Sequence, residues 1–251
     1  MRAKINYLKG AKIWIKLILI LKRRGGLKMI NQGSNQEDPK IIYMLSGLGC
    51  DRSNIEALEK ALAALANYQI KYLNLPGQFD HRDIKIQDKD ALGQWLERQI
   101  PPSSMIMGYS LGADLLLDHV DRLSPDRMII LDGAIITQDF MNTSIEEELA
   151  FTRQYIRANQ LDMDSDTIST LLKIKFNADC DLFDRALQVP TLLLLADSPD
   201  ALLDYKRAKV ERHRHQTKIK SRFIANTSHD FHTERPKEIA KAIHDFLSSD
   251  F

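Results

Sequence analysis

The chain has 251 residues, 44% apolar and 27% charged, the balance of a globular protein long enough to bury one sizeable core. Its net charge of +1 hides an asymmetry: residues 1–28 hold nine Lys/Arg and no acid, which leaves 26 basic against 34 acidic residues, a net −8, in the rest. A mildly acidic body gives no basis for nucleic-acid binding, and two cysteines, Cys50 and Cys180, supply neither a disulfide framework nor metal-ligand spacing.

Both cysteines read as small buried apolar residues in a reducing compartment. The basic stretch Met1 to Lys28 stands apart. Its apolar run, Ile13 to Leu21, is nine residues long and contains Lys16, far too short to span a bilayer. Lys22-Arg23-Arg24 follows where an export signal carries small residues at a cleavage site, which disfavours export. Two readings stand: a basic helix with weak contact to a membrane surface, and a tail with no role in the fold. The second is preferred, since domain-like sequence begins only after Gln32-Gly33-Ser34-Asn35 and Met29 is a natural alternative start. The expected layout is a basic extension over 1–35 outside the fold and one domain over 36–251, in the cytoplasm.

In that domain Lys40 to Leu45 is a buried-strand pattern, and Ser46-Gly47-Leu48-Gly49-Cys50-Asp51 follows as a loop. Ser53-Asn54-Ile55-Glu56 has the form of a capping box, opening a helix with Ile55, Leu58, Leu62 and Leu65 at helical spacing. A strand over Gln69 to Leu73 leads into Asn74-Leu75-Pro76-Gly77-Gln78. Helix signals over Ala91 to Ile100 stop at Pro101-Pro102. The apolar run Ser104 to Met107 then meets Gly108-Tyr109-Ser110-Leu111-Gly112, and a helical pattern follows with Leu115, Leu116, Val120 and Leu123 on one face. Met128 to Leu131 is a further strand. Between Gln138 and Leu187 the strands stop: Ser144 and Glu147 form a capping box, Ile145, Leu149 and Ile156 follow at helical spacing, and Ile168 to Ile174 and Leu182 to Leu187 read as two more helical runs. Strands resume at Leu192 to Ala196 and Ile219 to Ile224, separated by a helix over Ala201 to Glu211. The loop Asn226 to Glu234 precedes a last helix after Pro236, with Ile239, Ile243 and Phe246 inward.

Strands alternating with amphipathic helices predict a mostly parallel sheet covered on both faces. An insertion of helices over 138–187, soon after the strand–helix unit that contains Gly108-Tyr109-Ser110-Leu111-Gly112, would sit over the carboxyl edge where such sheets bind ligands, and reads as a lid.

Strand, G-x-S-x-G, helix is the context of a nucleophile elbow. The tight turn projects the serine oxygen, glycines on either side let strand and helix approach, and the helix start aims free N–H groups at developing negative charge. A serine hydroxyl needs a base to take its proton, and an imidazole needs an acid to hold its tautomer. Both follow Ser110: Asp197 ends the Leu192–Ala196 strand, and His229 lies in the loop after Ile219–Ile224. Asp200, in the same loop as Asp197, and Asp132, after the Met128–Leu131 strand, are the alternative acids, ranked second and third.

The order Ser, Asp, His, with Ser110 in its elbow, resembles the α/β-hydrolase superfamily in its lidded single-domain branch over about residues 40–250. His229-x-x-His232-x-Glu234-Arg235-Pro236 is similar to that family's stretch from histidine into the last helix, with Ser228 where Gly is usual, and Asn74-Leu75-Pro76-Gly77 is similar to its Asp-x-Pro-Gly loop. The resemblance implies an α/β-hydrolase sheet trimmed at its N-terminal edge, a helical lid and an oxyanion hole made by the backbone N–H groups of Leu48 and Leu111. Ser46-Gly47-Leu48-Gly49 departs from the family's His-Gly-x-Gly, which changes the support of the loop but keeps the donor.

The expected function is a cofactor-independent serine hydrolase of a small ester, thioester or related acyl compound. Ser110, His229 and Asp197 are its triad, and it uses neither metal nor nucleotide, since no ligand spacing and no phosphate-cradling glycine loop is present. The alternatives are a carbon–carbon bond hydrolase or lyase on the same residues, and a non-catalytic ligand-binding module. Substrate identity and oligomeric state are left open.

Overall fold

The computed structural model describes residues 38–249, apart from 138, 139, 141, 179, 180, 186 and 199 and the side chains of 200 and 201. The basic extension and Cys180 lie outside the described residues, as does the Asp200 side chain.

Six strands, β1 (Lys40–Leu45), β2 (Tyr68–Leu73), β3 (Met105–Tyr109), β4 (Arg127–Leu131), β5 (Thr191–Ala196) and β6 (Ile219–Ile224), form one sheet in the order β2-β1-β3-β4-β5-β6. Every pair is parallel. The central strands explain the continuous apolar runs, since β5 is buried along its whole length, whereas edge strand β2 alternates buried and exposed residues. Helices α1 (Glu56–Ala63) and α9 (Pro236–Leu247) cover one face, where Leu58, Leu62, Ile243 and Phe246 pack on Ile42 and Met44. On the other face lie α2 (Lys89–Gln99), α3 (Leu111–Asp118) and the short α4 (Val120–Leu123), burying Leu92, Trp95, Leu96, Leu115 and Leu116.

Strand order reverses between β1 and β3, so the loops after these strands diverge and leave a crevice at the carboxyl edge. Above this edge come α5 (Ile145–Ala158), opened by the Ser144–Glu147 capping box, and α6 (Ser165–Ala178), which packs on α5 and α3. Residues between them are bound to the loop after β2. Phe79 N–H donates to Asp162 O at 2.9 Å, Asp164 N–H donates to Gly77 O at 2.7 Å, and Arg82 and Lys85 pair with Asp162 and Asp164.

Three local expectations fail. The capping box before α1 uses Asp51 and Asn54 around a 3-10 turn at Arg52–Asn54, not Ser53 and Glu56, because the Asp51 carboxylate reaches the Ser53 N–H at 2.7 Å. Helix α1 then ends at Ala63, which leaves Leu65 45% exposed. Residues 182–185 form turns, with Phe183 N–H bound to the Asp181 carboxylate instead of starting a helix. Helix α7 (Asp200–Arg212) and a single helical turn, α8 (Phe231–Glu234), complete the elements.

The glycines of the G-x-S-x-G turn are explained by contact. A Cβ on Gly108 would stand 2.5 Å from the Ala113 Cα, and one on Gly112 would strike the carbonyls of Leu45 and Ser46. Gly108→Ala is therefore expected to push α3 off β3 and lower the unfolding free energy by about 1–3 kcal/mol, the usual cost of overpacking. Urea unfolding checks this, and a variant as stable as the parent would mean that the helix does not depend on this close approach.

Candidate active site

Ser110 joins β3 to α3 with φ 52° and ψ −124°, a region that non-glycine residues seldom occupy. The strain is held by bonds on both sides: Ser110 N–H donates to Leu131 O at 3.0 Å, and Ser110 O accepts from Ala113 N–H at 2.9 Å. The side-chain oxygen thereby faces the loop after β6, where His229 Nε2 lies 2.9 Å from Ser110 Oγ.

The other ring nitrogen, Nδ1, lies 2.7 Å from Asp132 Oδ2. This corrects the expected contact of the imidazole with Asp197. Asp197 is not on the imidazole; its two oxygens accept from Asn226 N–H at 2.7 Å and Thr227 N–H at 2.9 Å. These backbone bonds, Thr227 first, hold its carboxyl below the ordinary carboxylate value. Asp197 thus ties the end of β5 to the start of the histidine loop. Asp132 directly follows β4, one strand from Ser110, and its backbone turns back at φ 46° to present the carboxylate. Asp114 of α3 fastens the same turn by accepting from Ala134 N–H at 2.7 Å.

Asp132 Oδ1 accepts from Lys206 Nζ at 2.7 Å and from Ala196 N–H at 3.1 Å. Lys206 is 1% exposed, and no sequence reading singled it out. Its signal was faint: a lysine within an amphipathic helix ordinarily faces water, and only the buried carboxylate opposite it explains its place. Burial alone would raise the Asp132 carboxyl. The His229 hydrogen bond and charge, with Lys206, outweigh it and hold the group below its ordinary value, so it is anionic at neutral pH.

Tyr109 fixes the histidine loop from below. Its hydroxyl donates to Asp230 Oδ1 at 2.6 Å, and its ring packs against His229 and His232, with centroids 5.0 and 4.4 Å away. Burial pushes the His232 imidazole down to about 4, so it stays neutral as a packing element of the loop. His81 and His213, away from this loop, pack on Trp95 and Phe183. Cys50 offers no competing nucleophile, because desolvation, then the Asp230 and Asp51 charges, push its thiol up to about 12.

Leu111, the first residue of α3, has no carbonyl one turn earlier to receive its N–H. The loop carrying Leu48 lies against the same serine: a Cβ on Gly47 would stand 3.2 Å from Ser110 Cβ. Among the described residues no group of three His, Cys, Asp or Glu could hold a metal ion, and no helix is long and apolar enough to cross a membrane.

No family model matches the sequence, and no curated protein matches it. Solved structures do. An α/β hydrolase from the metagenome of Mar Chica lagoon sediments, Morocco, superposes with TM-score 0.59 at 13% identity, over 88% of this chain and 98% of that one. A lipase-esterase related protein from Clostridium acetobutylicum gives 0.58 at 17% identity, over 83% and 95%. The enol-lactonase from Burkholderia xenovorans gives 0.56 at 16%, over 86% and 94%. The chain has the α/β-hydrolase fold.

Removing one side of the buried Lys206–Asp132 pair strands a charge, so Lys206→Met is expected to cost about 3–5 kcal/mol of stability by denaturant unfolding. Lys206→Met with Asp132→Asn should cost less than the two single changes summed. Strict additivity would show that the groups are not coupled.

The depressed Asp132 carboxyl also sets a sign for pH. Its stabilisation is present above the unfolded value near 3.9 and is lost as pH falls through the lower folded value. The stability gap between the parent and Asp132→Asn should accordingly narrow as unfolding is measured from pH 5 down to pH 3. A gap that widens on acidification would contradict the ionised assignment.

Proposed function

We propose that the protein is a serine hydrolase that cleaves a small ester, thioester or related acyl substrate through an acyl-enzyme. The observation that carries this reading is the continuous relay from Ser110 Oγ to His229 Nε2, and from His229 Nδ1 to a buried, ionised Asp132. The fold of the neighbouring hydrolases agrees with it, but fold alone would not establish an activity.

In the proposed reaction the Ser110 oxygen attacks the acyl carbon while His229 Nε2 takes its proton. Asp132 holds the ring in the tautomer that keeps Nε2 free to accept, and stabilises the imidazolium that forms. The N–H groups of Leu48 and Leu111 receive the developing oxyanion without reorganising. His229 then protonates the leaving group, and water, activated by the same imidazole, releases the acid and restores Ser110. Helices α5 and α6 serve as the lid that limits water and sets acyl selectivity.

p-Nitrophenyl esters and acyl-CoAs of graded chain length, tested on the parent and on single variants, examine the reading. Ser110→Ala should abolish turnover above the background of binding alone. Asp132→Asn should lower kcat by about 10⁴-fold, the scale known for loss of a triad acid. Asp197→Asn, which keeps one acceptor for the loop, should cost far less. Turnover undiminished in Ser110→Ala would overturn the proposal, and a larger loss in Asp197→Asn than in Asp132→Asn would overturn the choice of acid.

A further inference from the structure

The loop after β1 lacks the histidine usual at position 46, yet it is held by a residue from another loop. Gln78 is fully buried after β2, and its side chain makes four polar contacts, all to Ser46–Cys50. Its two Nε2 hydrogens are shared among Ser46 Oγ at 2.9 Å, Gly47 O at 3.1 Å and, more weakly, Cys50 O at 3.4 Å, and its Oε1 accepts from Gly49 N–H at 3.2 Å. We propose that Gln78 is the positioning residue of the oxyanion hole, fixing the Gly47–Leu48 peptide so that the Leu48 N–H points at the reacting oxygen. The proposal rests on the reading of Leu48 as an oxyanion donor.

The geometry of a peptide makes the link. Gly47 C=O and Leu48 N–H belong to one planar trans unit and point in opposite directions, so a donor that captures the carbonyl aims the N–H the other way. Capture of the carbonyl also polarises the unit and strengthens its N–H as a donor. The next two N–H groups along are occupied, that of Gly49 by Gln78 Oε1 and that of Cys50 by Gly47 O, so neither competes with Leu48 for the reacting oxygen. Ser46 Oγ completes the frame by accepting from Leu75 N–H at 3.2 Å as well as from Gln78.

Gln78 is itself anchored. Its backbone forms an antiparallel bridge with Met163, between α5 and α6, flanked by the bonds of Phe79 to Asp162 and of Asp164 to Gly77. The helical insertion and the oxyanion loop are therefore braced by one residue, by its backbone on one side and its amide on the other.

The test compares the parent with Gln78→Met, which keeps shape and apolar volume but removes all four polar contacts. With the thermal midpoint recorded for each protein, kcat should fall about ten- to hundred-fold, short of the 10²–10³ for outright loss of an oxyanion donor. KM should hold within a factor of about three, the signature of an interaction made in the transition state. The inhibition constant of a trifluoromethyl ketone, whose Ser110 adduct carries an oxyanion, should weaken in proportion to kcat. Ser46→Ala removes the same support from the other side and serves if Gln78→Met does not fold; it should shift kcat and ketone affinity together in the same direction. Unchanged kcat in a folded variant, or a rise in KM alone with ketone affinity intact, would overturn the role. Ester turnover that survives Ser110→Ala would instead remove the reading on which it stands, and the proposal with it.

Discussion

A carboxylate taken out of water is the constraint on which the rest of the site depends. Asp132 is almost wholly buried, and an isolated anion there would be costly enough to protonate or to unfold its surroundings. It is stable because three donors converge on it: the Lys206 ammonium, the Ala196 N–H and the His229 ring. Each comes from a different part of the chain. β5, α7 and the loop after β6 are thereby drawn to the end of β4, and the position of His229 relative to Ser110 follows from that convergence. Lys206 also neutralises part of the charge that His229 feels, while the carboxylate keeps its second oxygen on the imidazole.

Around this centre the backbone is arranged by contact more than by charge. The strained Ser110 turn persists because β4 binds its N–H and α3 binds its carbonyl, while glycines at 108 and 112 let helix and strands approach within van der Waals limits. Tyr109, buried beside them, passes rigidity to the histidine loop through Asp230. The serine and the histidine each adjoin one member of the Tyr109–Asp230 hydrogen bond, and the histidine is held by Asp132 on its other side.

Much of this was legible in the sequence. Continuous apolar runs separated by helical spacing gave six strands and their order along the chain, and the order of Ser110 and His229 marked the two residues whose side chains now lie within hydrogen-bond distance. Which carboxylate meets the imidazole was not legible, and the reason is physical. Asp132 and Asp197 both directly follow buried strands, so local pattern treats them alike; what separates them is which donors the tertiary fold brings to each. Asn226 and Thr227 N–H groups claim Asp197, and the positive φ at Asp132 swings its carboxylate inward. Lys206 and Gln78 were illegible for a related reason. A lysine in a helix or a glutamine in a loop is solvated by default, and only a partner distant in sequence, 74 residues away for Lys206, makes burial favourable.

The central claim is that one serine, and only one, is activated by this relay. Treatment with a fluorophosphonate probe, followed by intact mass and peptide mapping, measures that activation without any knowledge of the natural substrate. The account predicts a single adduct on Ser110, formed far more slowly in Asp132→Asn and absent in Ser110→Ala. An adduct on another residue, or labelling that persists when Ser110 is removed, would contradict it.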